Sequence, residues 1–294
     1  MKLEESVRLS KFTTLGTGGP ARWFARPETL EELVDLLAWA EGDGLPAAPI
    51  GLGSNLLVAD EGFAGLALKL DGVLAVAKVG DGRLLAGGGA PLAVCLHRVR
   101  EAELGGLEFV CAIPGTVGGG VWMNAGAYSS DIASVLTRAH VADARGARWL
   151  TPEELGLRYR RSELRPGQIV AGAEFKLDPK PAAEIKATVA EMQARRKEAQ
   201  PTNKRTFGSV FRNPDHELTA GRMLEACGLK GHRIGGAQIS PKHANFIENA
   251  GGAASGEAIA LIAEARRRAL EQFGVRLEPE VQLLGAIEVP PFPG

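Results

Sequence analysis

The pattern of apolar and polar positions divides the chain into one early helix, a long region of short apolar runs, and a mixed C-terminal part. Residues 29–44 have apolar side chains at helical spacing, with Thr29 as the N-cap and a glycine at the end. From there to about Leu177, short apolar runs separated by glycine predict strands, with one helix near residues 91–103. This pattern indicates a sheet-rich α+β domain.

The C-terminal part alternates helices and strands. A charged, proline-containing boundary precedes a predicted helix at residues 182–200. Helices are predicted next at residues 219–228 and 255–274, the second with Ser255 as its cap and a glycine at its end, and a last strand follows at residues 275–285. The sequence therefore predicts a second, smaller α+β domain.

Composition is typical of an ordinary globular protein. With 294 residues, of which 45% are hydrophobic and 23% charged, the chain can bury a substantial core. A net charge of −1 excludes a general electrostatic attraction to nucleic acid or to an anionic membrane. The three cysteines lack metal-ligand spacing, and the N-terminus lacks an apolar signal segment. We expect a cytoplasmic monomer that binds no metal, nucleic acid or membrane.

Two glycine-rich, uncharged turns, at residues 51–60 and 113–127, are candidates for a cofactor site. Glycine lets the backbone approach a ligand closely, and the peptide N–H groups of such turns can converge on a phosphate. The second turn lacks the Lys and Ser or Thr of a P-loop, and the first lacks the third glycine and the helix of a Rossmann fingerprint. The pair favours a dinucleotide-type cofactor held by backbone donors, with tight turns of a sheet-rich domain as the alternative.

The segment RYRRSEL, residues 158–164, is a candidate anion site. In an extended conformation Arg158, Arg160 and Ser162 share one face. A guanidinium group is permanently charged and suits a carboxylate or an enolate oxygen. A solvated basic strand edge is the alternative interpretation.

The segment RTFGSVFRNP, residues 205–214, contains a candidate proton donor. Strand alternation predicts that Phe207, Ser209 and Phe211 share one face, so that the hydroxyl lies between two aromatic rings. A well-placed serine can protonate a strongly basic carbanion. Alternatively, Ser209 satisfies a backbone group beside a bulge at Gly208.

Eight segments, taken in order, resemble the UDP-N-acetylenolpyruvoylglucosamine reductase family. A single segment of this kind is weak, but eight in one order over about residues 13–285 are specific. The segments are TTLGTGGPA (13–21), GLGSNLLVADEGFAG (51–65), IPGTVGGGVWMNAGAY (113–128), YRRS (159–162), GSVFRNP (208–214), GLKGHRIGGAQIS (228–240), HANFI (243–247) and PEV (279–281).

The resemblance implies an α+β fold with three parts. Residues 1–178 would form an FAD-binding domain of the vanillyl-alcohol-oxidase (PCMH) type with two α+β subdomains. Residues 179–200 would form a connecting helix, and residues 201–294 a substrate-binding domain whose last strand returns Glu280 toward the flavin. FAD would be bound non-covalently, with its pyrophosphate along both glycine turns. The implied cofactor residues are Gly51, Gly53, Ser54, Asn55, Leu56, Pro114, Gly115, Thr116, Gly118, Gly119, Asn124 and Gly126.

The resemblance also implies an FAD-dependent oxidoreductase of peptidoglycan precursor synthesis. NADPH would be the co-substrate, and the enolpyruvyl group of UDP-N-acetylglucosamine enolpyruvate would be reduced to give UDP-N-acetylmuramic acid. Ser209 matches the family's proton donor to C2, while Arg160 and Glu280 match the residues that polarise the substrate carboxylate and stabilise the intermediate. Further substrate contacts are expected from Asn213, Lys197 and Arg205.

One departure from the family's longer form concerns tyrosine. The only two tyrosines, Tyr128 and Tyr159, lie inside other segments, so the chain resembles the shorter form that lacks a tyrosine-bearing loop. Two other interpretations stay open at this point. One is an oxygen-using flavin oxidase on the same fold, and the other is a non-catalytic protein that binds a sugar nucleotide or flavin.

Overall fold

The computed structural model describes residues 2–292, which form six α-helices and nineteen strands. Residue 1 and residues 293–294, at the two ends of the predicted domains, lie outside the described residues. The helices are α1 (Leu30–Gly42), α2 (Leu92–Glu101), α3 (Val117–Trp122), α4 (Ala182–Ala199), α5 (Ala220–Ala226) and α6 (Ser255–Phe273). The strands are β1 (Leu3–Arg8), β2 (Pro20–Ala25), β3 (Ala47–Pro49), β4 (Leu56–Val58), β5 (Phe63–Leu68), β6 (Ala77–Gly80), β7 (Arg83–Gly87), β8 (Leu104–Gly105), β9 (Gly126–Ala127), β10 (Ser130–Asp131), β11 (Leu136–Asp143), β12 (Gly146–Leu150), β13 (Ile169–Lys176), β14 (Asp178–Pro179), β15 (Thr206–Ser209), β16 (Arg233–Ile234), β17 (Ala237–Ile239), β18 (Phe246–Asn249) and β19 (Gln282–Leu284).

The described chain divides into two compact units, each built from separate stretches of sequence. Unit 1 comprises residues 2–5, 22–52 and 64–196, and unit 2 comprises residues 6–21, 53–63 and 197–292. The division predicted from sequence is continuous, whereas two N-terminal stretches here belong to the unit that contains the C-terminal part. The physical reason is apolar burial, because Leu15 and Leu57 from those stretches lie in the core of unit 2.

Unit 1 is sheet-rich, as the short apolar runs predict. It contains a five-stranded antiparallel sheet of order β12-β11-β13-β7-β6 and most of a four-stranded sheet of order β1-β2-β5-β3. Strand β13 is buried on both faces, with Val170 and Phe175 in one core and Ile169 and Ala171 in another. This two-sided burial gives the unit a rigid centre for the loops at its strand ends.

The first helix of unit 1 confirms its predicted start. The Thr29 hydroxyl accepts a hydrogen bond from the Glu32 N–H at 3.2 Å, and α1 begins directly after Thr29. Its buried face contains Leu33, Leu36 and Leu37 and packs into the second core.

Unit 2 combines the four-stranded sheet β15-β18-β17-β16 with α5, α6 and the parallel pair β4-β19. Helix α6 ends at Gly274, in the left-handed conformation (φ 66°), as predicted. Its predicted cap is wrong: the N-cap is Ala254, and the Ser255 and Gly256 N–H groups donate to the Asp60 carboxylate at 2.9 and 3.0 Å. A distant carboxylate therefore replaces the local hydroxyl at this helix terminus.

None of the helices in residues 2–292 combines the length and the apolar composition that crossing a bilayer requires. Helix α4 follows the predicted boundary and is largely exposed, with Ile185 as its one fully buried residue among those described.

Candidate active site

The first glycine turn presents a row of peptide donors. Among residues 2–292, the N–H groups of Gly51, Leu52, Gly53 and Asn55 have no backbone acceptor. Leu56 then enters β4, which pairs with β19, so the turn is fixed at its end by a strand. Adjacent peptide N–H groups in a turn form a concave site for an anion.

Gly53 is required by a close backbone approach. Its φ is 65°, and a Cβ built at this position would overlap the Phe12 carbonyl oxygen. The Thr14 N–H and hydroxyl both donate to the Gly53 carbonyl at 3.1 Å. The same hydroxyl lies 2.6 Å from the carbonyl oxygen of Thr206, the first residue of strand β15, which also contains Ser209. Thr14 therefore supports the first glycine turn at Gly53. It lies within the segment TTLGTGGPA (13–21), but the sequence alone did not predict this role.

The second glycine segment also offers free donors within unit 1. The Gly115 and Thr116 N–H groups have no backbone acceptor among the described residues. A Cβ on Gly51 would lie 2.8 Å from the Thr116 hydroxyl oxygen, so the beginning of the first turn touches the second segment. Pro114 and Gly119 are exposed beside these donors.

Gly118 has a different reason to be glycine. Its N–H donates to the Gly88 carbonyl at 2.8 Å, and a Cβ would lie 3.0 Å from that oxygen and 3.1 Å from the Val170 carbonyl oxygen. The glycine therefore permits α3 to pack closely on strand β13 and on the residues after β7. Its role in this geometry is packing, and the donors come from its neighbours.

The donor set fits the diphosphate of a dinucleotide such as FAD. Uncharged turns with unpaired N–H groups can hold a phosphate without a bound cation, and glycine leaves room for close approach. Within residues 2–292, no group of three or more His, Cys, Asp or Glu side chains is arranged to hold a metal ion.

The extended conformation predicted for residues 158–162 is wrong, because the chain makes a tight turn there. Arg158 and Arg161 exchange backbone hydrogen bonds at 2.9 and 3.1 Å, and Arg160 lies at the turn with φ 54°. Because of this turn, the two-residue alternation that would put Arg158, Arg160 and Ser162 on one face does not apply. A non-glycine residue in the left-handed region is strained, and such residues are concentrated at functional sites.

This arginine turn is tied to the second glycine segment. The Arg160 guanidinium donates to the Gly126 carbonyl at 2.5 Å, and the Ser162 hydroxyl donates to the Trp122 carbonyl at 2.7 Å. Asn124 is buried, and its amide donates to the Arg158 carbonyl at 3.1 Å and to Asp131 at 2.9 Å. The Asn124 side chain therefore supports the turn that holds Arg160.

The predicted alternation around Ser209 is also wrong. Gly208 has φ 83°, and the register between β15 and β18 shifts between Thr206 and Ser209. This bulge breaks the two-residue period, so that Val210 and Phe211 are both buried while Ser209 is partly exposed. Among the described residues the Ser209 hydroxyl makes no hydrogen bond. The bulge directs the hydroxyl away from the core.

Ser209 and Glu280 are brought together within unit 2. The Glu280 N–H donates to the carbonyl of Val210, the residue after Ser209, at 2.7 Å. The Asn55 amide donates to the Glu280 carbonyl at 3.2 Å, and a Cβ on Gly208 would lie 3.2 Å from the Ser54 carbonyl oxygen. Residues 54–55 of the first glycine turn, the serine bulge and Glu280 thus meet within unit 2. The strand predicted over residues 275–285 is shorter than expected: β19 covers Gln282–Leu284, and Glu280 lies before it.

The three predicted substrate contacts lie on the surface of unit 2. Asn213 is exposed, and its side-chain oxygen accepts from the Ala220 N–H at 3.2 Å. The Arg205 guanidinium lies along Gly16, with 3.3 Å between its Nη1 and a Cβ built on that glycine. Lys197 is exposed, and its carbonyl accepts from the Lys242 ammonium group.

Comparisons with known proteins agree with this geometry. A family model described as the C-terminal domain of UDP-N-acetylenolpyruvoylglucosamine reductase matches residues 200–284, and one described as an FAD binding domain matches residues 21–150. These matches, with the mixed helices and strands, confirm the α+β class and an FAD-binding domain followed by a C-terminal domain.

Relatives match over almost the whole chain. A UDP-N-acetylenolpyruvoylglucosamine reductase from Anaeromyxobacter dehalogenans is 42% identical over 283 residues, covering 96% of this chain and 85% of that protein. One from Synechococcus sp. is 43% identical over 290 residues, covering 96% and 93%. The crystal structure of UDP-N-acetylenolpyruvylglucosamine reductase (MurB) from Thermus caldophilus is similar, with a TM-score of 0.83, 37% identity and coverage of 97% and 99%.

Proposed function

Because the chain belongs to the UDP-N-acetylenolpyruvoylglucosamine reductase family, we propose that it reduces the enolpyruvyl group of UDP-N-acetylglucosamine enolpyruvate to give UDP-N-acetylmuramic acid. The reaction serves peptidoglycan precursor synthesis, with NADPH as the reductant. The observation that carries the proposal is the meeting of the Ser209 bulge, the Glu280 backbone and the first glycine turn within unit 2. A binding protein has no need of an unengaged hydroxyl at such a position.

When bound, FAD would supply hydride transfer between NADPH and the enolpyruvyl carbon. By the family pattern both turns would hold its diphosphate. Among the described residues, N–H groups without a backbone acceptor are those of Gly51, Gly115 and Thr116 in unit 1 and of Gly53 and Asn55 in unit 2. The remaining predicted cofactor residues flank these donors or support the loops. They are Ser54, Leu56, Pro114, Gly118, Gly119, Asn124 and Gly126.

Arg160 would bind the substrate carboxylate. Its guanidinium donates a hydrogen bond to the Gly126 carbonyl at 2.5 Å, which orients it, and the strained turn that carries it is fixed by Asn124. A guanidinium that is held in place can neutralise the charge that develops on a carboxylate when its neighbouring carbon becomes carbanionic. Preorganised electrostatic contacts of this kind are worth about 3–4 kcal/mol of activation free energy.

Ser209 would donate a proton to C2, and Glu280 would stabilise the enol character of the intermediate beside it. The serine hydroxyl makes no hydrogen bond among residues 2–292, so it is available to a substrate. The main chain around it is held by Glu280 N–H and by buried partners, which limits its movement. A poor acid suffices when it is well positioned against a strong base.

The remaining assignments follow the same family pattern. Asn213 would contact the substrate, and Lys197 and Arg205 flank the segment that would reach the UDP diphosphate. The exposure of all three in unit 2 is compatible with these roles. With the predicted division into residues 1–178, a connecting helix at 179–200 and residues 201–294, we propose that most FAD contacts come from the first part and most substrate contacts from the last, while residues 6–21 and 53–63 belong to unit 2. The protein is proposed to act as a cytoplasmic monomer.

The test is an anaerobic two-step experiment followed by flavin absorbance. The purified FAD-loaded protein is reduced with one equivalent of NADPH, and UDP-N-acetylglucosamine enolpyruvate is then added. The proposal expects rapid return of the oxidised flavin band and formation of UDP-N-acetylmuramic acid. A band that stays bleached until air enters would overturn the substrate assignment and favour an oxygen-using enzyme on the same fold.

A further inference from the structure

Lys69 reaches the first glycine turn from a neighbouring strand of unit 1. Its ammonium group donates to the Gly51 carbonyl at 3.1 Å. Strands β3 and β5 are parallel, so their carboxyl ends lie at one edge, with Gly51 just after β3 and Lys69 just after β5. The carboxyl ends of parallel strands are a common position for ligands. Lys69 belongs to none of the segments that carry the family resemblance.

A second cation lies beside Lys69. The Lys69 N–H donates to the Ala25 carbonyl at 3.0 Å, which places Arg26 next to it at the end of β2. Burial lowers the pKa of Lys69, repulsion from Arg26 lowers it further, and the Asp71 carboxylate acts in the opposite direction. The Lys69 ammonium group therefore lies in a partly buried setting beside a second positive charge.

The position of the ammonium group decides the orientation of one peptide. In a planar trans peptide the carbonyl and the following N–H point in opposite directions. Because the Gly51 carbonyl is held by Lys69, the Leu52 N–H must face away from the ammonium group. That N–H is one of the donors without a backbone acceptor among the described residues. Gly51 itself offers little resistance to rotation, since glycine populates both signs of φ.

We propose that Lys69 is a positioning residue for the FAD diphosphate. It keeps the negative end of the Gly51–Leu52 peptide turned away from the phosphates, so that the Leu52 N–H faces them. Without the ammonium group the peptide can flip and present its carbonyl oxygen to the phosphates. This inference rests on the proposed function, because it takes FAD as the ligand of the turns.

The test compares FAD dissociation constants of apoproteins, measured by titration of flavin fluorescence. Lys69→Met removes the charge, Lys69→Arg keeps a cationic donor, and Lys78→Met is the matched control at an exposed position on β6. We expect Lys69→Met to weaken FAD binding about tenfold or more, which is the usual loss for a hydrogen bond with a charged partner. Lys69→Arg should restore most of the affinity, and Lys78→Met should match the wild type.

Thermal unfolding of the same apoproteins separates positioning from folding. The proposal expects Lys69→Met to unfold at about the wild-type temperature while it binds FAD more weakly. Equal FAD affinity in Lys69→Met and the wild type would overturn the proposal, as would a loss of affinity that Lys69→Arg does not rescue. If the wild-type protein itself takes up no FAD, the proposed function fails first, and that result is recognised before any variant is compared.

Discussion

The side-chain amide of Asn245 pairs with both backbone groups of Phe211. The Asn245 oxygen accepts from the Phe211 N–H at 2.9 Å, and its nitrogen donates to the Phe211 carbonyl at 2.8 Å. All four groups are buried, and the Asn245 carbonyl also accepts from the Val210 N–H at 2.9 Å. Phe211 forms a β-bridge with Pro279 on one side, and on the other side the Asn245 side chain takes the place of a strand neighbour. This pairing fixes the backbone two residues from Ser209.

Replacement of Asn245 with Ala should destabilise the protein and slow catalysis. Two buried backbone groups of Phe211 would lose their partners, at a cost of about 2–5 kcal/mol in the free energy of unfolding. Urea denaturation measures this loss. The control is Asn203→Ala, an exposed turn position, which should change the same free energy by less than about 0.5 kcal/mol. Equal stability of the two variants would contradict the role given to Asn245.

Replacement of Ser209 with Ala should affect only one of the two half-reactions. Reduction of the flavin by NADPH does not need the hydroxyl, whereas protonation at C2 does, so stopped-flow absorbance should show a normal first step and a second step slowed about 100-fold or more. Ser209→Cys retains a protic group and should recover part of the second rate. A uniform slowing of both steps would indicate a general structural role instead.

Replacement of Gly53 with Ala should be far more damaging than the same change at Gly252. Both glycines have φ 65°, but a Cβ at Gly53 would overlap the Phe12 carbonyl, while no atom of the described residues lies within 4 Å of one at Gly252. Gly252→Ala should cost about 1–2 kcal/mol of unfolding free energy for the left-handed backbone alone. Gly53→Ala should cost more and should also weaken FAD binding. Equal unfolding free energies would show that the backbone around Phe12 can move at little cost.

Acid stability should depend on Glu264 of helix α6. Hydrogen bonds from Arg267 and Arg268 lower the pKa of this carboxyl from 4.5 to about 2. The unfolded chain therefore takes up this proton first as the pH falls, so the stabilisation is complete above about pH 4.5 and disappears as the pH approaches 2.

The partly exposed setting limits the effect, so Glu264→Gln should lose about 0.5–1 kcal/mol of unfolding free energy near pH 7. The variant should then approach the wild type below about pH 3. Glu271→Gln is the matched control, since among residues 2–292 Glu271 pairs with Arg267 and with no second cation, and it is more exposed. Urea titrations at several pH values would contradict the prediction if the two variants behaved alike.

Several local features could be predicted from sequence because neighbouring residues decide them. The cap at Thr29 and the end of α6 at Gly274 depend on contacts within a few residues, and both are confirmed. The two glycine turns also could be recognised as donor-rich segments, since their composition alone removes side chains and leaves peptide groups. The order of eight segments was sufficient to indicate the family.

Contacts between residues far apart in sequence decided the features that the sequence did not predict. The turn at Arg158–Arg161 and the bulge at Gly208 overrode strand alternation, because each is held by partners that lie far away in sequence. The same is true of Asp60, which caps α6 although 195 positions separate it from Ser255. Periodicity describes which face of an element is apolar, but it contains no information about which distant group will satisfy an unpaired N–H. That choice, which also brings Lys69 to Gly51 and Asn245 to Phe211, is made only when the tertiary structure forms.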